Sequence, residues 1–157
     1  MKKLMLLWCT CSMILSACAF GNTKYERSSK AGSLIPITLE TTLERLEKGD
    51  TFVLLISQTT CGACKRLKEV LDVYLSNHEV MIHELVLDQY VNSQEEFNHA
   101  SEQLNQYVND FRGTPALYYI KDGKSVGEVI GYDSERGIEP YDNFVQKFQL
   151  DAVKEAS

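Results

Sequence analysis

The chain has 157 residues, five cysteines and a formal net charge of −6, and 44% of its residues are hydrophobic. The excess of acidic residues argues against nucleic acid and anionic lipid headgroups as electrostatic partners, because both carry negative charge. No GxGxxG or P-loop pattern occurs in the sequence, which disfavours a nucleotide-dependent enzyme. The length is sufficient for one domain with its own hydrophobic core.

The first eighteen residues have the pattern of a bacterial export signal. Lys2 and Lys3 give a basic start, and residues 4–15 form an apolar run that is shorter than the ~20 residues of a membrane span. The run leads into Leu-Ser-Ala-Cys, which ends at Cys18 and matches the bacterial lipobox. We therefore expect residues 1–17 to be a lipoprotein signal peptide and Cys18 to carry the lipid anchor. An ordinary cleaved signal that contains cysteines is the alternative.

The cysteine positions then isolate one pair of thiols. Cleavage before Cys18 discards Cys9 and Cys11, and it changes the net charge from −6 to −8 because two lysines and no acids are lost. Only Cys61 and Cys64 remain as free thiols. Unpaired cysteines are a liability in an oxidising compartment, so an exported chain with one remaining pair is typical of a redox protein.

The remaining chain divides into a tether, one domain and a tail. Residues 18–33 are small and polar and lack hydrophobic periodicity, which predicts a flexible, lipid-anchored tether. A disordered terminus with no spatial role is equally compatible with this composition. Residues 34–150 carry the periodic segments and form the predicted domain, and residues 151–157 form a C-terminal tail. Internal repeats are absent, and no apolar stripe suggests a dimer, so we expect a monomer.

The first half of the domain alternates strands and helices. In chain order the predicted elements are a strand at 34–37, a helix that Thr38 caps and Gly49 ends, a near-continuous apolar strand at 52–56, a helix that follows Cys61, and a strand at 80–87. A continuous apolar strand is typical of a parallel sheet that is covered on both faces.

The second half adds a helix, a hairpin and a closing helix. Ser93 and Glu96 form a capping box, and apolar residues as far as Phe111 predict a helix of four or five turns. Strands at 116–120 and 125–130 are joined by a turn that contains Asp122-Gly123, and a last helix starts at about Pro140. The order β-α-β-α-β-α-β-β-α predicts an α/β fold, in which a mixed sheet, parallel in one half, lies between helices.

The segment Cys61-Gly62-Ala63-Cys64 joins the end of a buried strand to the start of a helix. Unpaired N–H groups and the helix dipole favour a thiolate at this position, so the pair is suited to thiol–disulfide exchange. Zinc binding is the alternative for a Cys-x-x-Cys segment. A structural zinc site usually needs a second ligand pair, and the three histidines lack that spacing.

From Leu34 to Leu150 the chain resembles thioredoxin-fold proteins. The resemblance rests on the Cys61–Cys64 segment, the dipeptide Thr114-Pro115 before a strand, and the Asp-Gly hairpin. It implies that Pro115 is cis and faces the cysteines, and that Thr114 presents backbone groups to a substrate. Cys61 is then the attacking thiolate and Cys64 the resolving thiol, with no cofactor. Thr60, Gly62 and Ala63 complete the implied substrate surface.

The chain departs from thioredoxins at several positions. Thr60 stands where thioredoxins usually have tryptophan, and Ala63 stands where they have proline. Leu55 replaces the buried aspartate that lies six residues before the first cysteine. Proton transfer at Cys64 therefore needs water or another group. Glu84 in the third strand is a possible substitute, although we expect it to be an edge-facing, solvated glutamate.

A closer resemblance than to thioredoxins proper is to thioredoxin-like bacteriocin transport accessory proteins of Gram-positive bacteria, through the residues around Cys61 and Pro115 and the long helix before Phe111. It implies a lipid-anchored, extracytoplasmic oxidoreductase that acts on exported cysteine-containing proteins or peptides and exchanges electrons with a membrane or extracytoplasmic redox partner. The alternatives are a tethered reductase in cytochrome or lipoprotein maturation, and a non-catalytic accessory module of a peptide transporter. The sequence leaves the direction of electron flow open.

Overall fold

The computed structural model describes residues 25–153. Its strands are β1 (Ser33–Pro36), β2 (Phe52–Ser57), β3 (Met81–Val86), β4 (Ala116–Lys121) and β5 (Lys124–Ile130). Its α-helices are α1 (Leu39–Glu47), α2 (Gly62–Leu75), α3 (Gln94–Leu104) and α4 (Glu139–Phe148). A single 3₁₀ turn, Leu87–Gln89, follows β3. The predicted element order is confirmed.

The five strands form one mixed sheet in the order β1-β3-β2-β4-β5. The strands β1, β3 and β2 run parallel, whereas β4 is antiparallel to both β2 and β5. All six residues of β2 are buried, as expected for the central strand. The predicted mixed sheet is therefore confirmed.

Helices cover both faces of the sheet. On one face, Leu46 of α1 and Leu104 of α3 join the core. On the other face, Leu67 and Leu71 of α2 pack with Phe144 of α4. Within residues 25–153, no helix is both long and apolar enough to cross a lipid bilayer.

The local signals for helix and hairpin ends were largely correct. Thr38 caps α1 by accepting a hydrogen bond from the N–H of Thr41 at 3.0 Å. Ser93 caps α3 by accepting from the N–H of Glu96 at 3.1 Å, whereas the Glu96 carboxylate accepts from the N–H of Asn92 instead of from Ser93. Asp122 and Gly123 have φ values of 51° and 76°, as a tight hairpin turn requires.

The predicted length of α3 was wrong, because the helix ends at Leu104 instead of near Phe111. Asn105 causes part of this difference, since its side-chain oxygen accepts a hydrogen bond from the N–H of Phe111 at 2.6 Å and folds the chain back. Asp110 has a φ of 45°, which ends any helical path. Val108 and Phe111 still reach the core, so their apolar spacing imitates a helix.

The predicted tether and tail were partly wrong, because residues near both chain ends are bound to the domain. The N–H of Ser28 donates to the carbonyl of Asp151 at 2.7 Å, and the N–H of Val153 donates to the carbonyl of Glu26 at 2.9 Å. The side chain of Asp151 is completely buried. The described residues from Tyr25 onward and the described part of the tail thus belong to the domain.

One guanidinium holds these two segments in place. Arg27 donates to the carboxylates of Asp151 and Asp142 at 2.7 and 2.6 Å, and to the hydroxyl of Tyr74 at 2.7 Å. Sequence periodicity gave no sign of this contact, because the partners lie 47 to 124 residues away. We call the following group of mutually bonded side chains the Arg27 cluster: Tyr25, Arg27, Tyr74, His78, Asp142 and Asp151.

Candidate functional site

The two predicted redox cysteines lie at the start of helix α2, just after the loop that follows β2. Cys61 is the N-cap residue of α2, and its sulfur accepts a hydrogen bond from the N–H of Cys64 at 3.1 Å. The two residues form a disulfide, with their Cα atoms 5.2 Å apart. The helix start places a first-turn N–H on the Cys61 sulfur, which is the interaction that stabilises a thiolate after reduction.

The two sulfurs differ in access. Cys64 is 2% exposed, whereas Cys61 is only partly buried. An incoming thiol or disulfide therefore reaches the Cys61 sulfur first. The Cys64 sulfur is shielded and is placed to react with Cys61. This asymmetry is compatible with the roles that the resemblance implied, in which Cys61 attacks and Cys64 resolves. Cys18, the predicted lipidation site, lies outside the described residues.

The loop before β4 forms the second wall of the site. The Thr114–Pro115 peptide bond is cis, as the resemblance implied. The Cys61 sulfur lies 3.5 Å from the carbonyl oxygen of Thr114. The Thr114 hydroxyl donates to the side-chain oxygen of Gln58 at 2.9 Å, so this wall is linked to the loop that precedes Cys61.

The other predicted substrate residues border the disulfide. Thr60 and Gly62 are exposed on either side of Cys61, and Ala63 is half-buried. Pro115 is buried beneath Thr114. Their positions place them at the rim of the site, and their contact with a substrate stays a prediction. Within residues 25–153, no three potential metal ligands among His, Cys, Asp and Glu come together.

Asp88 holds the loop that leads into Cys61, and the sequence did not identify this role. Both of its carboxylate oxygens accept from the N–H of Thr59 at 2.9 Å. Burial by itself raises the pKa of Asp88, but hydrogen bonds from Thr59 and Thr60 outweigh burial and hold the pKa below its ordinary value. A charged Asp88 therefore fixes the approach to the N-cap of α2.

The expectation that Glu84 is edge-facing and solvated was wrong. Strand β3 lies between β1 and β2, so Glu84 is on an interior strand and only 5% exposed. Its carboxylate accepts from the Ser57 hydroxyl at 2.7 Å and from the Lys68 ammonium at 2.9 Å. Strand order decides this burial, and strand order does not follow from spacing in the sequence.

A cavity of about 360 Å³ connects this carboxylate to the redox pair. Glu84 and Cys64 both line it, together with Ser57 of β2 and Lys68 of α2. Lys65 and Gln89, which are exposed, form part of its rim. The buried side of the disulfide therefore faces a cavity whose lining includes the Glu84 carboxylate.

Comparison with known proteins agrees with this geometry. The family model described as a thioredoxin-like domain matches residues 40–146. Among solved structures, a Schistosoma mansoni thioredoxin is similar, with 22% identity, a TM-score of 0.51 and coverage of 78% of this chain and 99% of its own. A Malassezia sympodialis thioredoxin has 17% identity and a TM-score of 0.52, with 81% and 98% covered. Chlamydomonas reinhardtii thioredoxin f2 has 12% identity and a TM-score of 0.52, with 75% and 98% covered.

At these identities the solved structures establish the fold alone. A thioredoxin fold with a Cys-x-x-Cys pair at disulfide distance supports a thiol–disulfide oxidoreductase in general terms. The family match extends from α1 into α4 and includes both cysteines and the cis proline, and on that basis the chain belongs to the thioredoxin-like domain family.

Proposed function

We propose that this protein is a membrane-anchored, extracytoplasmic thiol–disulfide oxidoreductase that acts on cysteines of exported proteins or peptides. The observation that carries the proposal is the asymmetric disulfide: an accessible Cys61 at the start of α2, a buried Cys64, and the Thr114 carbonyl beside the accessible sulfur. The lipobox that ends at Cys18 supports the anchor, and the resemblance to bacteriocin transport accessory proteins supports exported peptides as substrates.

The exchange has two steps. In the reducing direction, the Cys61 thiolate attacks a substrate disulfide, a bond forms between Cys61 and one substrate sulfur, and the other substrate sulfur leaves as a thiolate. The Cys64 thiolate then attacks the Cys61 sulfur, and the second substrate sulfur leaves. The substrate disulfide gains two electrons and the Cys61–Cys64 dithiol loses two. The oxidising direction reverses each step.

The helix start and the cis-proline loop contribute at defined points. The N–H of Cys64 stabilises negative charge on Cys61 when the disulfide opens. The loop at Thr114 offers backbone atoms next to the reacting sulfur, which suits an extended substrate segment. Membrane and extracytoplasmic redox proteins are the partners that would restore the starting state.

The first test compares Cys64→Ser and the double variant Cys61→Ser/Cys64→Ser with the unsubstituted chain. Cys64→Ser should form a stable mixed disulfide with a peptide that contains a disulfide, because the resolving thiol is absent. The double variant should lose exchange activity and the associated export phenotype. A double variant that keeps the phenotype in cells would instead identify a non-catalytic accessory module.

The reduction potential of the Cys61–Cys64 pair, measured by equilibration with glutathione, sets the direction. A value of about −120 to −180 mV indicates a disulfide donor, and a value of about −270 mV indicates a reductant.

The lipid anchor has its own test, since Cys18→Ser should move the protein from the membrane fraction to the soluble fraction. Retention of Cys18→Ser in the membrane fraction contradicts lipid anchoring at Cys18.

A further inference from the structure

Glu84 lies on the face of the sheet that packs against the helix carrying Cys64. Leu55, which replaces the aspartate of the resembling proteins, is paired in register with Glu84 across the β2–β3 ladder. Residues in register on neighbouring parallel strands point to the same face. Leu55 packs against α2, so Glu84 faces the same helix, the one that carries Cys64.

The surroundings of Glu84 are those of a reactive group as well as a structural one. Its side chain is 6% exposed, and a fully buried carboxylate is costly unless it is paired and hydrogen-bonded. Ser57 and Lys68 supply that pairing. An apolar residue here would pack against Leu55 without needing either partner. The sequence instead has a buried carboxylate, Glu84, beside the cavity that Cys64 lines.

We propose that Glu84 receives the thiol proton of Cys64 when Cys64 resolves the mixed disulfide, and returns it in the reverse reaction. This inference rests on the proposed oxidoreductase function. The cavity of about 360 Å³ has room for several water molecules, each of which occupies about 30 Å³ in the liquid, and these carry the proton between the two groups. Cys64 is 2% exposed, so bulk solvent is a poor acceptor for its proton.

The step balances as follows. The proton leaves the Cys64 thiol and reaches a Glu84 carboxylate oxygen. The resulting thiolate attacks the Cys61 sulfur, the Cys61–Cys64 bond forms, and the bond from Cys61 to the substrate sulfur breaks. The substrate sulfur leaves with the electron pair and takes a proton from water. Glu84 then releases its proton through the cavity to solvent.

The charges around Glu84 are compatible with this role. Lys68 is 43% exposed and water-accessible, and its ammonium is the cation that pairs with the Glu84 carboxylate at 2.9 Å. Lys65 is the other charged residue that lines the cavity. Strand β1 contributes Pro36 beside Glu84, β2 contributes Ser57 and the loop after β2 contributes Gln58, none of which titrates.

The experiment measures the two exchange steps separately in the full-length chain, using a peptide disulfide as the substrate. Attack by Cys61 is followed in a Cys64→Ser background, and resolution is followed by acid quenching, alkylation and mass spectrometry of the mixed disulfide. Glu84→Gln should slow resolution at pH 7 by about a hundredfold, the lower end of the range for general acid–base catalysis, and should change attack by less than about twofold. Raising the pH should restore the resolution rate, because ionisation of Cys64 then no longer needs an acceptor.

Two further variants separate proton transfer from a structural role. Glu84→Asp keeps a carboxylate and should recover most of the resolution rate. Glu69→Gln removes the same charge from an exposed position on α2 and should leave both steps unchanged. The inference is wrong if Glu84→Gln resolves at the unsubstituted rate, or if both steps slow equally at every pH.

A measurement without substitution covers the case in which Glu84→Gln fails to fold. In the ¹³C-glutamate-labelled chain, the carboxyl signal of Glu84 should follow pH differently in the disulfide and dithiol forms, since only the dithiol form shares a thiol proton with it. Superimposable curves overturn the inference. If Cys64→Ser forms no mixed disulfide at all, it is the proposed oxidoreductase function that fails, and not the assignment of Glu84.

Discussion

The two ends of helix α2 serve opposite purposes. At its N-terminal end, the Cys61–Cys64 disulfide lies between the loop at Thr114 and the cavity that Glu84 lines. At its C-terminal end, Tyr74 is fixed by Arg27 and by a 2.8 Å hydrogen bond to Asp142. The first end is arranged for bonds that form and break, and the second for bonds that persist.

The difference explains how a small domain can keep a reactive site in place. The persistent contacts all lie at the end remote from the disulfide, where they join the first described residues to α4 and to the residues after it. Exchange chemistry at Cys61 therefore does not depend on breaking them. Substitutions at one end of α2 should leave the properties of the other end unchanged, and this separation can be tested.

The largest effect is expected for Arg27→Ala. It removes the cation that faces two carboxylates, one of them in the completely buried side chain of Asp151, and loss of one partner of a buried pair costs about 3 kcal/mol. Urea unfolding should show this loss, whereas the reduction potential of the Cys61–Cys64 pair should stay unchanged. A changed potential contradicts the separation of the two ends.

A matched control for Arg27→Ala is Arg136→Ala. Arg136 is 55% exposed and lies 3.7 Å from Glu139, so its ion pair is a surface pair worth below about 1 kcal/mol. An equal loss in the free energy of unfolding in both variants would show that the Arg27 cluster stabilises the domain no more than a surface ion pair does.

An intermediate effect is expected from acid. Burial alone raises the pKa of Asp142, but hydrogen bonds from Arg27 and Tyr74 outweigh it and hold the pKa below the ordinary value of 3.8. A lowered folded-state pKa means that the stabilisation is present above the unfolded-state value and is lost as the pH falls through the folded-state value. The free energy of unfolding should therefore drop below about pH 4, and less steeply in Asp142→Asn. Parallel curves for the two proteins refute this assignment.

The smallest effect is expected for Asp88→Asn, at the disulfide end. The substitution removes the charge that the N–H groups of Thr59 and Thr60 favour, and a partly exposed hydrogen bond to a charged group contributes about 1 kcal/mol. Hydrogen exchange should speed up at Thr59 and Thr60, with no change at Ser28. Asp72→Asn, an exposed change on α2, is the control and should alter neither. Faster exchange at Ser28 in Asp88→Asn contradicts a local effect.

Sequence reasoning was most successful where the signal is local. The redox pair follows directly from the junction of an apolar strand with a helix at Cys61, and the caps at Thr38 and Ser93 follow from side chains that bond within three residues. The hairpin at Asp122 and Gly123 depends on backbone conformations that few residues adopt. Each of these features is decided by neighbours along the chain.

The missed features depend on residues that are distant in sequence. The burial of Glu84 is decided by β3 lying between β1 and β2, and the attachment of Arg27 by carboxylates more than a hundred residues away. The end of α3 was misplaced because Phe111 reaches the core along an irregular path held by Asn105. Periodicity records which residues are apolar, but it does not record the path by which they reach the core.

The fixed position of Arg27 also separates the N-terminal side of the domain from its reactive site. Tyr25, the first described residue, lies beside the C-terminal end of α2, and the fourteen residues of that helix place the disulfide about 20 Å away at the opposite end. A lipid on Cys18 could lie at most about 25 Å from Tyr25, even with the intervening chain fully extended. With a lipid on Cys18 as proposed, the disulfide would lie at the end of the domain opposite to the one that the anchored segment joins.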